Sequence, residues 1–332
     1  MASFYKRRGL LAGLAMATAC VSVSTGALAQ AWPNKSVRII VPFAAGGATD
    51  VVARLVGQKL TEAWGQAVVI ENRIGAGGNI GAEVVAKATA DGYTLLMASG
   101  AFTITPALYK AKMPFDAQKD FAPITNVAAG PMLVVTHPAV PANNIKELVA
   151  LAKAKPNGLN FGSAGVGSQV HMAGENFAAA AGIDIQHVPY KGEALGYNDL
   201  MAGQIQLMVG NMAGAVGFVQ QGKLKALAVT SKTRSTMLPN VPTVAESGVP
   251  SLAKFENSGW FGLLAPAGTP PSVIEKIQRD TTKAFDTPEM RGRLFVQGLT
   301  PVGNTAAEFE RAMRNEAEGW KKVIAERKLS AG

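Results

Sequence analysis

Apolar and polar positions along this chain switch repeatedly between a short β-branched run and a longer helical spacing. Val37-Arg38-Ile39-Ile40-Val41 reads as a strand, and Val51 to Trp64 then carries Val52, Leu55, Val56 and Leu60 at helical intervals. Val68-Val69-Ile70 predicts a second strand, the stretch from about Asn79 to Ala88 a helix, and Thr94-Leu95-Leu96-Met97-Ala98 a third strand. The pattern restarts near Pro131. Met132 to Thr136 predicts a strand, Ile145 to Lys153 a helix, and Gln169 to Ala181 another helix, with further strands at Ile185 to Val188, Ile205 to Val209 and Lys225 to Val229. Trp260-Phe261-Gly262-Leu263-Leu264 closes the series as a strand, and the rest to Arg327 is mostly helical. Alternation at these lengths implies parallel sheets covered by helices. The final helices need an apolar surface to cover, and the first sheet is the expected one. The expected architecture is therefore α/β with two mainly parallel sheet domains. One lobe is built from residues 30–129 and 256–332 and the other from 130–255, joined by a hinge that the chain crosses twice.

Two glycine-rich turns stand between a strand and a helix start: Pro42-Phe43-Ala44-Ala45-Gly46-Gly47-Ala48-Thr49-Asp50, and Phe161-Gly162-Ser163-Ala164-Gly165-Val166-Gly167-Ser168. The first helical N–H groups lack intrahelical partners and carry partial positive charge, and glycine lets a ligand approach them. Two such ends facing each other would clamp an anion, a carboxylate above all. Ligands of parallel sheets bind beyond the strand C-termini, where both turns fall. Thr49 or Asp50 is expected to cap the first helix. Ser99 and Thr103 follow the third strand in the matching place, and Tyr190, Lys191 and Asn211 follow strands on the side of the second turn.

The glycines at 75, 77, 78 and 81 miss the dinucleotide register because position 80 is Ile. Ser168 and His171 invite a hydrolase reading acting on a carboxylate or ester. Neither Ser163 nor Ser168 sits in G-x-S-x-G, and no acid is evidently placed to orient His171, which is expected to line the cleft or pack in its helix. His137 and His187 have no metal-ligand spacing with it and read as structural.

Lys6, Arg7 and Arg8, the apolar stretch from Leu10 to Val23 and Ala27-Leu28-Ala29 read as an export signal, residues 1–29, with the mature chain starting at Gln30. The one cysteine, Cys20, lies in that segment, so no disulfide is expected in the mature chain. Losing the three basic residues takes the formal charge from +9 to +6, an excess spread without basic blocks or interleaved aromatics. That argues against nucleic acid and favours small anions.

Taken together these segments resemble the Bug-type extracytoplasmic solute receptors of tripartite tricarboxylate transporters. The likeness runs through Trp32-Pro33, Pro42 to Asp50, Glu71-Asn72-Arg73, Gly75 to Gly81, Asp91 to Leu96, His187 to Gly192, Leu224 to Thr230, Leu238 to Gly248 and Gly262 to Pro271. It implies a two-lobed, monomeric, periplasmic binding protein of Venus-flytrap form, not an enzyme and without a cofactor, that closes on a small organic acid and delivers it to a two-subunit membrane permease. Presentation of the ligand-bound form to a sensor kinase is the alternative role. Carried onto this chain, the carboxylate site is expected at Phe43, Ala44, Ala45, Gly46 and Gly47 on one lobe and Ser163, Ala164, Gly165, Gly167 and Ser168 on the other. Gly78, Ser99, Thr103, His171, Tyr190 and Asn211 are expected close by. The family often has an acidic residue in the strand-end pattern where this chain has Val209-Gly210-Asn211, a change expected to remove a negative charge from the cleft. Gly192-Glu193-Ala194-Leu195-Gly196-Tyr197 also departs from the usual small residues and proline. The ligand expected is a dicarboxylate or aromatic carboxylate.

Overall fold

The computed structural model describes residues 32–331. The predicted export signal, with Cys20, lies outside the described residues. In chain order the first part comprises β1 (Val37–Val41), α1 (Ala48–Trp64), β2 (Val68–Asn72), α2 (Asn79–Ala86), β3 (Thr94–Ser99) and α3 (Ala101–Tyr109). Then come β4 (Phe121–Thr136), α4 (Ile145–Ala154), β5 (Asn160–Ser163), α5 (Gln169–Ala181), β6 (Gln186–Pro189), α6 (Glu193–Met201), β7 (Leu207–Asn211), α7 (Met212–Gln220) and β8 (Lys225–Val229). The chain ends with β9 (Ser258–Pro266), α8 (Pro271–Phe285), α9 (Pro288–Phe295), β10 (Thr300–Pro301) and α10 (Ala306–Glu326).

The strand order is β2-β1-β3-β9-β4-β7-β5-β6, with β8 and β10 also paired to β4. Parallel pairing, expected to predominate, is confined to the two ends, β2-β1-β3 and β6-β5-β7. Where the ends meet, β3-β9, β9-β4 and β4-β7 are antiparallel, so the sheet is mixed. The long strand β4 changes partners along its length: Phe121 to Pro131 pairs with β9, and Met132 to Thr136 pairs with β7 and β8. Its register shifts twice in the first half, between Pro123 and Thr125 and between Asn126 and Ala128. Asn304 satisfies that irregular stretch, its carbonyl accepting from Thr125 Oγ1 at 2.7 Å and its side chain from the Asn126 N–H at 2.8 Å.

Two apolar cores follow from this division. One surrounds Val134, Phe161, Phe177, Leu207 and Val209. In the other, α10 buries Phe309 and Met313 against Ile40, Leu96, Phe121 and Leu264. Gly262 in β9 makes room for the Phe309 ring, which a side chain there would overlap. Thr305 begins α10 with a capping box, its hydroxyl accepting from the Glu308 N–H while Glu308 reaches back to the Thr305 N–H. Among the described residues no helix is long and apolar enough to cross a membrane.

Candidate functional site

The parallel strands deliver their C-terminal ends to one place. Phe43 lies two residues beyond β1, Ser99 ends β3, Ser163 ends β5 and Asn211 ends β7. The first glycine turn rests on the N-terminus of α6, with the Ala44 N–H donating to the Lys191 carbonyl at 3.2 Å. A Cβ at Gly192 would lie 2.7 Å from that of Ala44, so glycine allows this approach. Gly46 (φ +85°) and Gly165 (φ +115°) take backbone conformations that side chains disfavour, which is why each turn needs its glycine.

Three cavities meet at Phe43. The one between the helix N-termini measures about 10 Å³, room for roughly one water. Of the expected residues it is lined by Phe43, Gly47, Ser99, Ala164, Ser168 and Asn211. A second of about 10 Å³ adjoins Phe43, Gly78 and Ser99. The third, about 230 Å³, runs past Gly78, Ala164 and Gly165 to Tyr190 and Lys191. Phe43, Ala101 and Ala164 form a small apolar cluster among them. Ser99 is 2% exposed, and its hydroxyl has no hydrogen-bond partner.

Other expected residues are turned elsewhere. Ala45 and Gly46 are exposed, and the Gly46 N–H donates to Asp50 Oδ2 at 3.0 Å. Neither Thr49 nor Asp50 caps α1, because Gly47 holds the cap position without a side-chain bond. Asp50 also accepts from Arg54 and Asn72; burial pushes its carboxyl up, but these bonds together hold it below its ordinary value. Thr103 lines a separate cavity, its hydroxyl 2.8 Å from the half-buried Glu316 carboxyl. Ser163 serves its own turn, accepting from the Gly165 N–H at 3.0 Å and bonding His187 Nε2 at 2.6 Å. The Gly167 N–H donates to His171 Nδ1 at 3.2 Å, and the His171 ring stacks on His187 with centroids 4.0 Å apart. Tyr190 lines the largest of the three cavities, and its hydroxyl donates to Asp199 at 2.8 Å.

Gln169 and Glu193 are two of the five lining residues outside the expected set, with Ala48, Thr49 and Val170. The first two join in a hydrogen-bonded chain that begins on the Gly100 backbone and ends on the Glu193 carboxyl. The Gly100 N–H donates to Gln169 Oε1 at 2.9 Å, Gln169 Nε2 donates to Asn211 Oδ1 at 2.7 Å, and Asn211 Nδ2 donates to Glu193 Oε2 at 3.0 Å. Glu193 also accepts from the Asn211 N–H at 2.6 Å and the Tyr197 hydroxyl at 3.0 Å, and packs beside Gly47, where an added Cβ would lie 3.5 Å from its own. Position alone signalled Gln169, which follows the second turn, and Glu193, which follows the Gly192 that touches the first. Glu193 also corrects the expectation for Gly210. A side chain at 210 would overlap the Tyr197 hydroxyl and crowd Glu193 Oε1, so an acidic side chain enters this space from α6 instead of from β7. Burial pushes the Glu193 carboxyl above its ordinary value, against the bonds from Asn211 and Tyr197.

The Ser163–His187 contact has the reach of a nucleophile and base, but not the setting. Ser163 is fully buried and lines none of the three cavities, and burial followed by the neighbouring His171 pushes His187 down to about 3. Among the described residues no cluster of three or more His, Cys, Asp or Glu side chains is placed to hold a metal ion.

Known proteins share this fold. The chain is 35% identical to the protein BugT of Bordetella pertussis over 318 residues, covering 96% of this chain and 97% of that one. It superposes on the periplasmic binding protein BugD with a TM-score of 0.85 and 34% identity, over 90% of this chain and 99% of that one. It superposes on R. palustris Rpa4515, solved with adipate, with a TM-score of 0.86 and 33% identity over the same shares. The α/β architecture is the two-lobed fold of periplasmic binding proteins. A family model described as the tripartite tricarboxylate transporter family receptor matches residues 52–329, and the chain belongs to that family of Bug-type solute-binding receptors.

Proposed function

We propose that this protein captures a small organic carboxylate between its two glycine turns, in the periplasm, and delivers it to a two-subunit membrane permease. Ser99 carries the reading. A buried hydroxyl without a partner costs about 1–3 kcal/mol, and a ligand oxygen beside it removes that cost. Ser99 shares its cavity with Ser168 and the first residues of α5, whose leading amides favour an anion. Adipate in the R. palustris relative supports a carboxylate as the guest.

The contacts assigned to the ligand are Phe43, Gly47, Gly78, Ser99, Ala164, Ser168 and Asn211. The lobes are 30–129 with 256–332, and 130–255. The change of partner along β4 between Pro131 and Met132 supports the first boundary, and β9, which returns the chain at Ser258, supports the second. Ligand binding then shifts an opening and closing equilibrium between them.

The test is a thermal-shift series on the protein without its leader, refolded to strip bound acid, against mono- and dicarboxylates at matched ionic strength. A ligand that binds only the folded state raises the melting temperature. At least one acid is expected to do so, and Ser99→Ala is expected to weaken that acid about tenfold while raising the melting temperature of the free protein, which loses an unpartnered buried hydroxyl. No shift with any acid, from protein that is folded and empty, overturns the reading.

A further inference from the structure

We propose that Gly77 is the positioning residue on which this cleft closes: its bare backbone lets the 75–78 turn meet the Val166 carbonyl, and that meeting sets how tightly a bound acid is held. This rests on the receptor reading above and adds to it a residue outside the assigned contacts. The glycines at 75, 77 and 78 miss the dinucleotide register, which leaves the segment without a nucleotide to bind. Their place in the fold gives them a different use.

Gly77 stands between β2 and α2, in the stretch assigned to the first lobe, and Val166 stands in the second glycine turn, in the stretch assigned to the other. Gly77 is buried, and a Cβ there would overlap the Val166 carbonyl oxygen. The same oxygen accepts from the Tyr109 hydroxyl, at the end of α3, at 3.3 Å. A Cβ at Gly167 would lie 2.9 Å from Thr105 Cγ2 and 3.4 Å from the Tyr109 ring, so α3 presses on the second turn beside Gly77. Gly77, Tyr109 and Val166 all line the cavity of about 230 Å³, so the spacing between the two segments sets the width left for a ligand. A clash between flexible side chains is relieved by a change of rotamer. A methyl group fixed to the backbone has no rotamer to change, and at Gly77 it has to push the two segments apart.

The chain holds its own control. Gly65, at the end of α1, has φ +64° and ψ +14°, against φ +64° and ψ +17° at Gly77. It is exposed, and a Cβ there meets nothing within 4 Å. Alanine therefore carries the same left-handed strain at both positions, and only at Gly77 does it also meet the other segment.

The test is isothermal titration of wild type, Gly65→Ala and Gly77→Ala with the acid that raises the wild-type melting temperature furthest in the series above, beside the melting temperature of each free protein. Gly77→Ala is expected to bind that acid about thirtyfold more weakly than Gly65→Ala does. The two free variants are expected to melt within about 2 °C of each other, because the contact is made on closure and not on folding. Tyr109→Phe removes the donor to the same oxygen without touching either backbone, and is expected to weaken the acid about threefold. Equal affinities in Gly65→Ala and Gly77→Ala overturn the inference, as does an unchanged affinity in Tyr109→Phe. A free Gly77→Ala that melts well below Gly65→Ala, or fails to fold, also overturns it, since the contact then belongs to the fold and not to closure. In each of these cases the receptor reading stands. Failure of every acid of the series to bind wild type overturns the receptor reading and the inference with it.

Discussion

The two glycine turns look alike in the chain, each following a strand and opening a helix, but their polar groups are satisfied from different distances. Around the second turn the partners are neighbours: Ser168 accepts from the His171 N–H at 3.1 Å, His171 from the Gly167 N–H, and Ser163 from the Gly165 N–H. The first turn has one local support, Asp50 on the Gly46 N–H, and otherwise rests on distant residues: Asn72 donates to the Phe43 carbonyl, the Ala44 N–H donates to the Lys191 carbonyl, and a Cβ at Gly47 would lie 3.5 Å from that of Glu193. A turn held by its own residues depends little on how distant segments pack. A turn held from a distance takes its shape only once those segments are in place.

Loading the distant support is expected to have the largest effect on this contrast. Gly210→Asp places a side chain on the Tyr197 hydroxyl and a second carboxylate beside the buried Glu193, and is expected to cost about 3 kcal/mol or more, read from the urea midpoint. An unchanged midpoint would show that Glu193 does not fill this space. Next is the local support of the first turn. Asp50→Asn is expected to cost about 1–2 kcal/mol at neutral pH by weakening the bonds to Gly46 and Arg54. The Asp50 carboxyl is held below its ordinary 3.8, so this stabilisation is present above 3.8 and disappears as pH falls through the lower folded value. Glu193 has the opposite sign: raised by burial, its contribution is full below its ordinary 4.5 and declines as pH rises through the folded value. Urea titrations of wild type and Asp50→Asn that converge in acid support the assignment, and a gap that persists there argues against it. The smallest change is in the second turn, where Ser163→Ala leaves the Gly165 N–H without its acceptor and is expected to cost about 1 kcal/mol by calorimetry.

Much of the fold was legible because its signal is local. β1, β3, β8, α1 and α5 fall where β-branched runs and helical spacing place them. The first half of β4 was not, because Pro123, Asn126 and Ala128-Ala129-Gly130 are poor strand formers, held there by pairing with β9 and by Asn304. Nor was α3, in which Phe102, Thr103, Ile104, Thr105 and Pro106 all read against a helix. In the candidate site, the sequence pointed to Phe43, Gly47, Gly78, Ser99, Ala164, Ser168 and Asn211, and the cavities gather them. Thr103, His171 and the Tyr190 hydroxyl were drawn to Glu316, His187 and Asp199 instead.

By itself the sequence determined the alternation of strands and helices, the two turns and the family to which they belong, since strand-turn-helix geometry depends on residues adjacent in the chain. Tertiary structure alone decided what surrounds the Glu193 carboxyl. Glu193 and Asn211 meet only after β7 and α6 have packed, and whether a buried carboxyl finds donors there is a property of that assembly.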